Sequence, residues 1–233
     1  LAPTRSRARD LIAGGHVTIG ETIAVKAGQF VTEADRLTIA AAGGADYVSR
    51  GALKLIAALD AFSFDPDGRV CLDIGASTGG FTEVLLMRGA TCVHAVDVGR
   101  DQLHPRLAAD PRVVRHDRVD ARDLADVAPQ ARFDAIVVDV SFISLVKMLA
   151  PALARAAPGA WLVTLVKPQF EAGRRSVGKG GIVRDPVARR AANDAVKVWV
   201  AQHGGWSFVG EVPSPIAGAD GNIETLMAWV RRD

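Results

Sequence analysis

Only two cysteines occur among the 233 residues, Cys71 and Cys92, and each falls in an apolar stretch that reads as a strand. Two such thiols argue against a disulfide framework or a cysteine-based metal site, and for the buried, reduced side chains of a cytoplasmic protein. Long apolar runs are also lacking. No stretch approaches the roughly 20 residues of a membrane span, and no basic-then-apolar segment opens the chain, so neither membrane insertion nor secretion is expected. Net charge is only +2, so bulk electrostatics does not announce a nucleic-acid partner. The five histidines show no metal-ligand spacing, and no metal is expected. What the chain does have is apolar material, 49% of its residues, enough at this length to build a core without covalent staples.

The chain is organised around Val70-Cys71-Leu72-Asp73-Ile74-Gly75-Ala76-Ser77-Thr78-Gly79-Gly80-Phe81, an apolar run that breaks into small residues and resumes with helical spacing. This predicts a strand, a tight turn and a helix start, whose free N–H groups suit a nucleotide-like cofactor. The turn lacks the Gly-Lys-Ser/Thr ending of a P-loop and the spacing of a dinucleotide fingerprint, which weakens both the triphosphate and the NAD assignments. Cys92 to Asp97 forms a second strand ending in an acid about 20 residues on, where doubly wound sheets clamp a ribose. The combination looks more like S-adenosylmethionine binding; the plain alternative is an ordinary α/β turn beside a solvated aspartate.

From Arg69 onward strands and helices alternate. Strands are predicted over 69–74, 91–97, 112–115, 133–139, 160–166, 206–212 and 222–231, and helices over 79–88, about 101–109, 143–156 and 186–203, with a loop over 168–184. Such alternation argues a parallel, doubly wound sheet, with Asp73, Asp97, Asp139 and Lys167 at the carboxyl ends of strands, where such sheets bind ligands. Seven Lys and Arg stand against Glu171 and Asp185 between Lys167 and Arg190. A phosphate-rich partner fits that excess, although taken alone the run is better explained as a solvated surface loop. Trp161, Trp199, Trp206 and Trp229 fall within elements and are expected in the core. Ahead of this lies a smaller unit, residues 1–45, with a basic helix carrying Arg5, Arg7 and Arg9, then short β-like pieces at 16–19, 21–25 and 36–39. A small-residue linker, 40–46, leads into a helix that runs to about Phe62 and holds Lys54.

The helix-and-hairpin unit resembles the RNA-binding domain of ribosomal protein S4, which normally begins with one more helix than is present here. Ser49-Arg50-Gly51-Ala52-Leu53-Lys54, the glycine turn, Phe133 to Ser144, Ala160 to Glu171, Val177 to Asp185 and Gly221-Asn222-Ile223-Glu224 together resemble the TlyA (haemolysin A-like) family of ribosomal RNA 2′-O-ribose methyltransferases. The resemblance implies a Rossmann-like, S-adenosylmethionine-dependent α/β domain over 46–233 behind the N-terminally incomplete S4-like α+β domain. It implies the FtsJ-like catalytic tetrad Lys54, Asp139, Lys167 and Glu224, and cofactor contacts from Asp73, Gly75, Ser77, Gly79, Gly80, Phe81, Asp97, Asp120 and Asp139. RNA contacts are expected from Arg5, Arg7, Arg9, Arg174, Arg175, Lys179 and Arg184, with ribosomal RNA or ribosomal subunits as partner. Ala52 stands where the family usually has glycine, and Asp120 where it often has Asn. Lys167 either accepts the 2′-OH proton, which a nearby Lys54 favours and Asp139 and Glu224 oppose, or stays charged and orients the hydroxyl. Two other functions fit the same resemblance: an inactive RNA-binding protein of this fold, and a membrane-lytic protein of the kind the haemolysin name suggests.

Overall fold

The computed structural model describes residues 8, 12, 17–20, 22–24, 26–32, 34–39, 47–218 and 220–232. The chain divides into two compact units, Leu1–Arg50 and Gly51–Asp233. In the first, β1 (Val17–Ile19) pairs antiparallel with both β2 (Thr22–Ile23) and β3 (Leu37–Ile39), in the order β2-β1-β3. Val17 and Ala24 form its small core, with Ile12 and Ile19 packed on them. Arg5, Arg7, Arg9 and the 40–46 linker lie outside the described residues.

The second unit opens with helix α1 (Gly51–Phe62) and continues with β4 (Val70–Ile74), α2 (Gly80–Met87), β5 (Cys92–Asp97), α3 (Pro105–Ala108) and β6 (Val113–Asp117). Then come α4 (Leu124–Val127), β7 (Phe133–Val138), α5 (Leu149–Leu153), β8 (Ala156–Val166), α6 (Pro168–Glu171), α7 (Pro186–Gln202), β9 (Trp206–Pro213) and β10 (Thr225–Arg231). The sheet order is β6-β5-β4-β7-β8-β10-β9. Consecutive residues of β4 and β7 are buried, as in a sheet covered on both faces. Helix α7 gives Val196 and Val200 to the main core, while α1 packs on α2 and on β9 and β10. Trp161, Trp206 and Trp229 are buried and Trp199 packs at the core's edge, as expected.

Three expectations need correction. The sheet is not wholly parallel, because β10 runs antiparallel to both β8 and β9 and lies between them. The helix expected over 143–156 breaks into a 3-10 turn, Leu145–Lys147, and the short α5. Pro151 is the reason: it has no N–H for the carbonyl of Lys147 and its ring crowds that carbonyl, so it is accommodated only in the first turn of a new helix. Third, both cysteines are free, but only Cys71 is buried, its thiol pushed up to about 12 mainly by burial, and Cys92 is half-exposed.

Candidate active site

The turn after β4 brings some of the residues expected at a cofactor to one cleft and leaves others outside its walls. Gly75 sits at φ 82°, and a Cβ there would overlap the backbone carbonyl of Asp139 at the end of β7, so the two strand ends meet only because residue 75 has no side chain. Asp97, closing β5, accepts the N–H of Ser77 on Oδ2 at 2.8 Å and that of Gly99 on Oδ1 at 2.7 Å. Two backbone donors thus fix its carboxylate and still leave lone pairs open. Between these strand ends opens a cleft of about 340 Å³, within the ordinary range of small-molecule sites. Gly75, Ser77, Asp97, Asp120 and Asp139 line it together with Val98, Val119, Phe142, Ile143 and Met148. Among the described residues three carboxylates line this space, Asp120 paired with Arg122 and Asp139 with Lys167. With its apolar walls it suits a ligand that is part polar and part apolar.

Asp73, Gly79, Gly80 and Phe81, expected at the cofactor, are not among the cleft's walls. Gly79 is at φ 99°, and a Cβ on it would run into Leu103 and Leu107, so backbone conformation and packing both demand glycine there. Phe81 is a core side chain and Gly80 is buried at the head of α2. Asp73 is fully buried and accepts the Thr82 hydroxyl on Oδ2 at 2.6 Å, while Oδ1 has no hydrogen-bond partner among the described residues. Burial pushes its carboxyl up to about 7 against the opposing Thr82 bond, with Asp139 and Asp97 adding to the rise. Asp120 lines the cleft, but its oxygens hold the Arg122 guanidinium and backbone N–H, which keep its pKa below the usual carboxylate value.

The four tetrad residues form two ion pairs. Lys54 Nζ lies 2.6 Å from Glu224 Oε2, with side chains 11% and 3% exposed, across 170 residues of chain. Lys167 Nζ lies 2.6 Å from Asp139 Oδ1, an ion pair outside hydrogen-bond angles, and donates to Ser141 Oγ at 2.8 Å. Strand register explains the convergence. Val138 is the last residue of β7 paired with β8, so Asp139 leaves at that end. Thr225 pairs with Val166, so Glu224 and Lys167 follow at adjoining ends of β10 and β8. Because β10 is reversed, a residue that precedes a strand joins residues that follow strands.

Ser141 was not singled out by the sequence, although it lies inside the motif that ends β7; its neighbour Phe142 is 93% exposed with φ 68°. Segment 168–184 is more ordered than the expected loop. It contains α6 and two 3-10 turns, Arg174–Ser176 and Lys179–Gly181, and the buried Asn222 accepts the Val183 N–H and donates to the Gly181 carbonyl. Arg174, Arg175, Lys179 and Arg184 are all exposed along it. Glu171, half-buried, accepts from Ser144 and Leu145, and burial raises its pKa against those two bonds. Among the described residues no cluster of His, Cys, Asp and Glu could hold a metal ion, and no helix is long and apolar enough to cross a membrane.

The family comparison agrees with this geometry. The FtsJ-like methyltransferase model matches residues 47–231, and the S4 domain model matches residues 1–37. The chain belongs to the FtsJ-like methyltransferase family. It is 47% identical over 231 residues to the 16S/23S rRNA (cytidine-2′-O)-methyltransferase TlyA of Mycobacterium tuberculosis, covering 99% of this chain and 85% of that one. It is 38% identical to Hemolysin A of Brachyspira hyodysenteriae, covering 97% and 94%. Among solved structures, a Streptococcus thermophilus protein provisionally named a hemolysin superposes with TM-score 0.80 at 37% identity, covering 99% of this chain and 84% of that one. The chain thus joins a methyltransferase domain to an S4 domain, and the seven-stranded sheet with one reversed strand lies in the first of these.

Proposed function

We propose that this chain transfers a methyl group from S-adenosylmethionine to the 2′-hydroxyl of a ribose in ribosomal RNA. The observation that carries the proposal is a carboxylate-lined cleft whose rim residues, Asp139 and Ser141, hold the lysine that follows β8. S-adenosylmethionine fits the cleft: it is a sulfonium bearing an ammonium group, and Asp97 faces it without a cationic partner among the described residues, while apolar side chains offer room for an adenine. Asp97 is placed for ribose hydroxyls. Bound there, the cofactor supplies an electrophilic methyl. Gly79, Gly80 and Phe81 support the site from behind, by shaping the turn and its helix.

Lys167 handles the nucleophile. Lys167 Nζ donates to Ser141 and lies beside Asp139 in an ion pair, which leaves a direction of its nitrogen for the ribose hydroxyl. If the amine is neutral that direction carries a lone pair, which accepts the 2′-OH proton; if it is charged, an N–H there orients the hydroxyl. Lys54 and Glu224 neutralise one another alongside, so the positive charge of Lys54 neither repels the lysine nor escapes to solvent. Arg174, Arg175, Lys179 and Arg184 on the exposed segment after Lys167, with Arg5, Arg7 and Arg9 of the S4-like domain over 1–45, serve as contacts to RNA phosphates. Two free cysteines and rRNA-methylating relatives support action in the cytoplasm on ribosomal RNA or subunits.

Labelled methyl transfer to separated ribosomal subunits tests the proposal. Lys167→Ala is expected to lower turnover by about 10²–10⁴-fold with cofactor affinity nearly unchanged. Lys167→Arg separates the two roles: loss of activity favours proton removal, retention favours orientation by charge. A Lys167→Ala enzyme working at the parent rate refutes the assignment.

A further inference from the structure

Two loops leave the adjacent parallel strands β7 and β8, and the tetrad accounts for only part of what joins them. The first carries Asp139, Ser141 and Phe142, the last at a φ of 68° that a non-glycine residue keeps only when its surroundings hold it. The second runs from Lys167 through α6 to Glu171. Glu171 Oε2 accepts the Ser144 hydroxyl at 2.6 Å and Oε1 accepts the Leu145 N–H at 2.8 Å. Leu145 opens the 3-10 turn Leu145–Lys147, and Ser144 at its N-cap makes no capping bond of its own, so Glu171 supplies the cap from the other loop. The rings of Phe142 and Phe170 meet across the same junction, with centroids 5.5 Å apart. None of the hydrogen bonds of Glu171 goes to Lys54, Asp139, Lys167 or Glu224.

We propose that Glu171 is a positioning residue: it latches the loop after Asp139 to the helix after Lys167, and so holds Ser141 against the Lys167 ammonium and Phe142 in its strained conformation. The kinetic part of this proposal rests on the methyltransferase function above. The cost of losing the latch follows from the Lys167–Ser141 distance of 2.8 Å, because misplacing a reacting group by about 1 Å lowers rates by about 10²-fold. Glutamine at 171 preserves the geometry without the charge, since its carbonyl accepts from Leu145 and its amide donates to Ser144.

The test uses the full chain with Glu171→Ala and Glu171→Gln. Glu171→Ala is expected to lower kcat at least about tenfold and to raise amide hydrogen exchange over residues 144–148, with the strands as protected as in the parent. Glu171→Gln is expected to recover most of both. Parent-like kcat in Glu171→Ala, exchange that rises across the whole sheet, or a Glu171→Gln variant as impaired as the alanine overturns the proposal. If the parent itself transfers no methyl group to ribosomal RNA, the functional proposal fails, and the exchange pattern of the two variants still decides whether the latch exists.

Discussion

Replacing Lys54 by methionine removes the cation from a contact 2.6 Å long and leaves Glu224, whose side chain is 3% exposed, without its counter-charge. Stranding one member of a buried pair costs about 3–5 kcal/mol, because the remaining ion has neither water nor partner. The double variant Lys54→Met/Glu224→Leu removes both charges and is expected within about 1 kcal/mol of the parent, since apolar replacement of a buried pair is often neutral. The double variant should then be about 2–4 kcal/mol more stable than Lys54→Met alone, measured by urea unfolding followed through the buried Trp161, Trp206 and Trp229. Methyl transfer should remain lost in the double variant, which separates the pair's contribution to folding from its place in the active site. A Lys54→Met protein less than about 1 kcal/mol below the parent at pH 8 would refute the reasoning, as would a double variant no more stable than the sum of the singles.

Asp73, at about 7 in the folded protein against an ordinary 3.8, holds its proton more tightly folded than unfolded, so stability should fall as pH rises from about 4 to about 7. The full effect is at most about 4 kcal/mol, and Asp73→Asn should flatten that slope and melt above the parent at pH 8; parallel melting curves across pH for the two proteins would count against it. Gly75→Ala and Gly79→Ala should fail differently. The first pushes on the Asp139 backbone and is expected to weaken cofactor binding, whereas the second, at φ 99° beside Leu103 and Leu107, should mainly lower stability by about 1–2 kcal/mol. Calorimetric titration with S-adenosylmethionine beside thermal unfolding distinguishes them, and equal losses of affinity in both variants would contradict the placement.

Much of the catalytic unit was legible in the order of residues. Period and punctuation are local properties, so the strand ending at Ile74, the glycine turn, the acid closing β5 and the lysine after β8 were all visible in short windows of sequence. Their common location followed from a general rule of parallel sheets, that ligands lie at strand carboxyl ends. Motifs marked Glu224 and Lys54, but nothing in the sequence dictates that a helix residue and a residue 170 positions later share one buried ion pair. That pairing exists because β10 inserts backwards between β8 and β9, and strand order and direction are fixed by packing of the whole sheet rather than by any local pattern. The same distinction separates Gly75 from Gly79. Both are glycines of one turn with positive φ, and only tertiary neighbours show that one faces the Asp139 carbonyl and the other the leucines of the next connection. Glu171, one of two acids in a basic stretch by sequence, became a joint between two loops because β7 and β8 lie side by side. The sequence alone thus determined the elements and the chemistry at their ends, while the tertiary structure decided which ends meet, because hydrogen bonds and ion pairs act over a few ångströms of space and not along the chain.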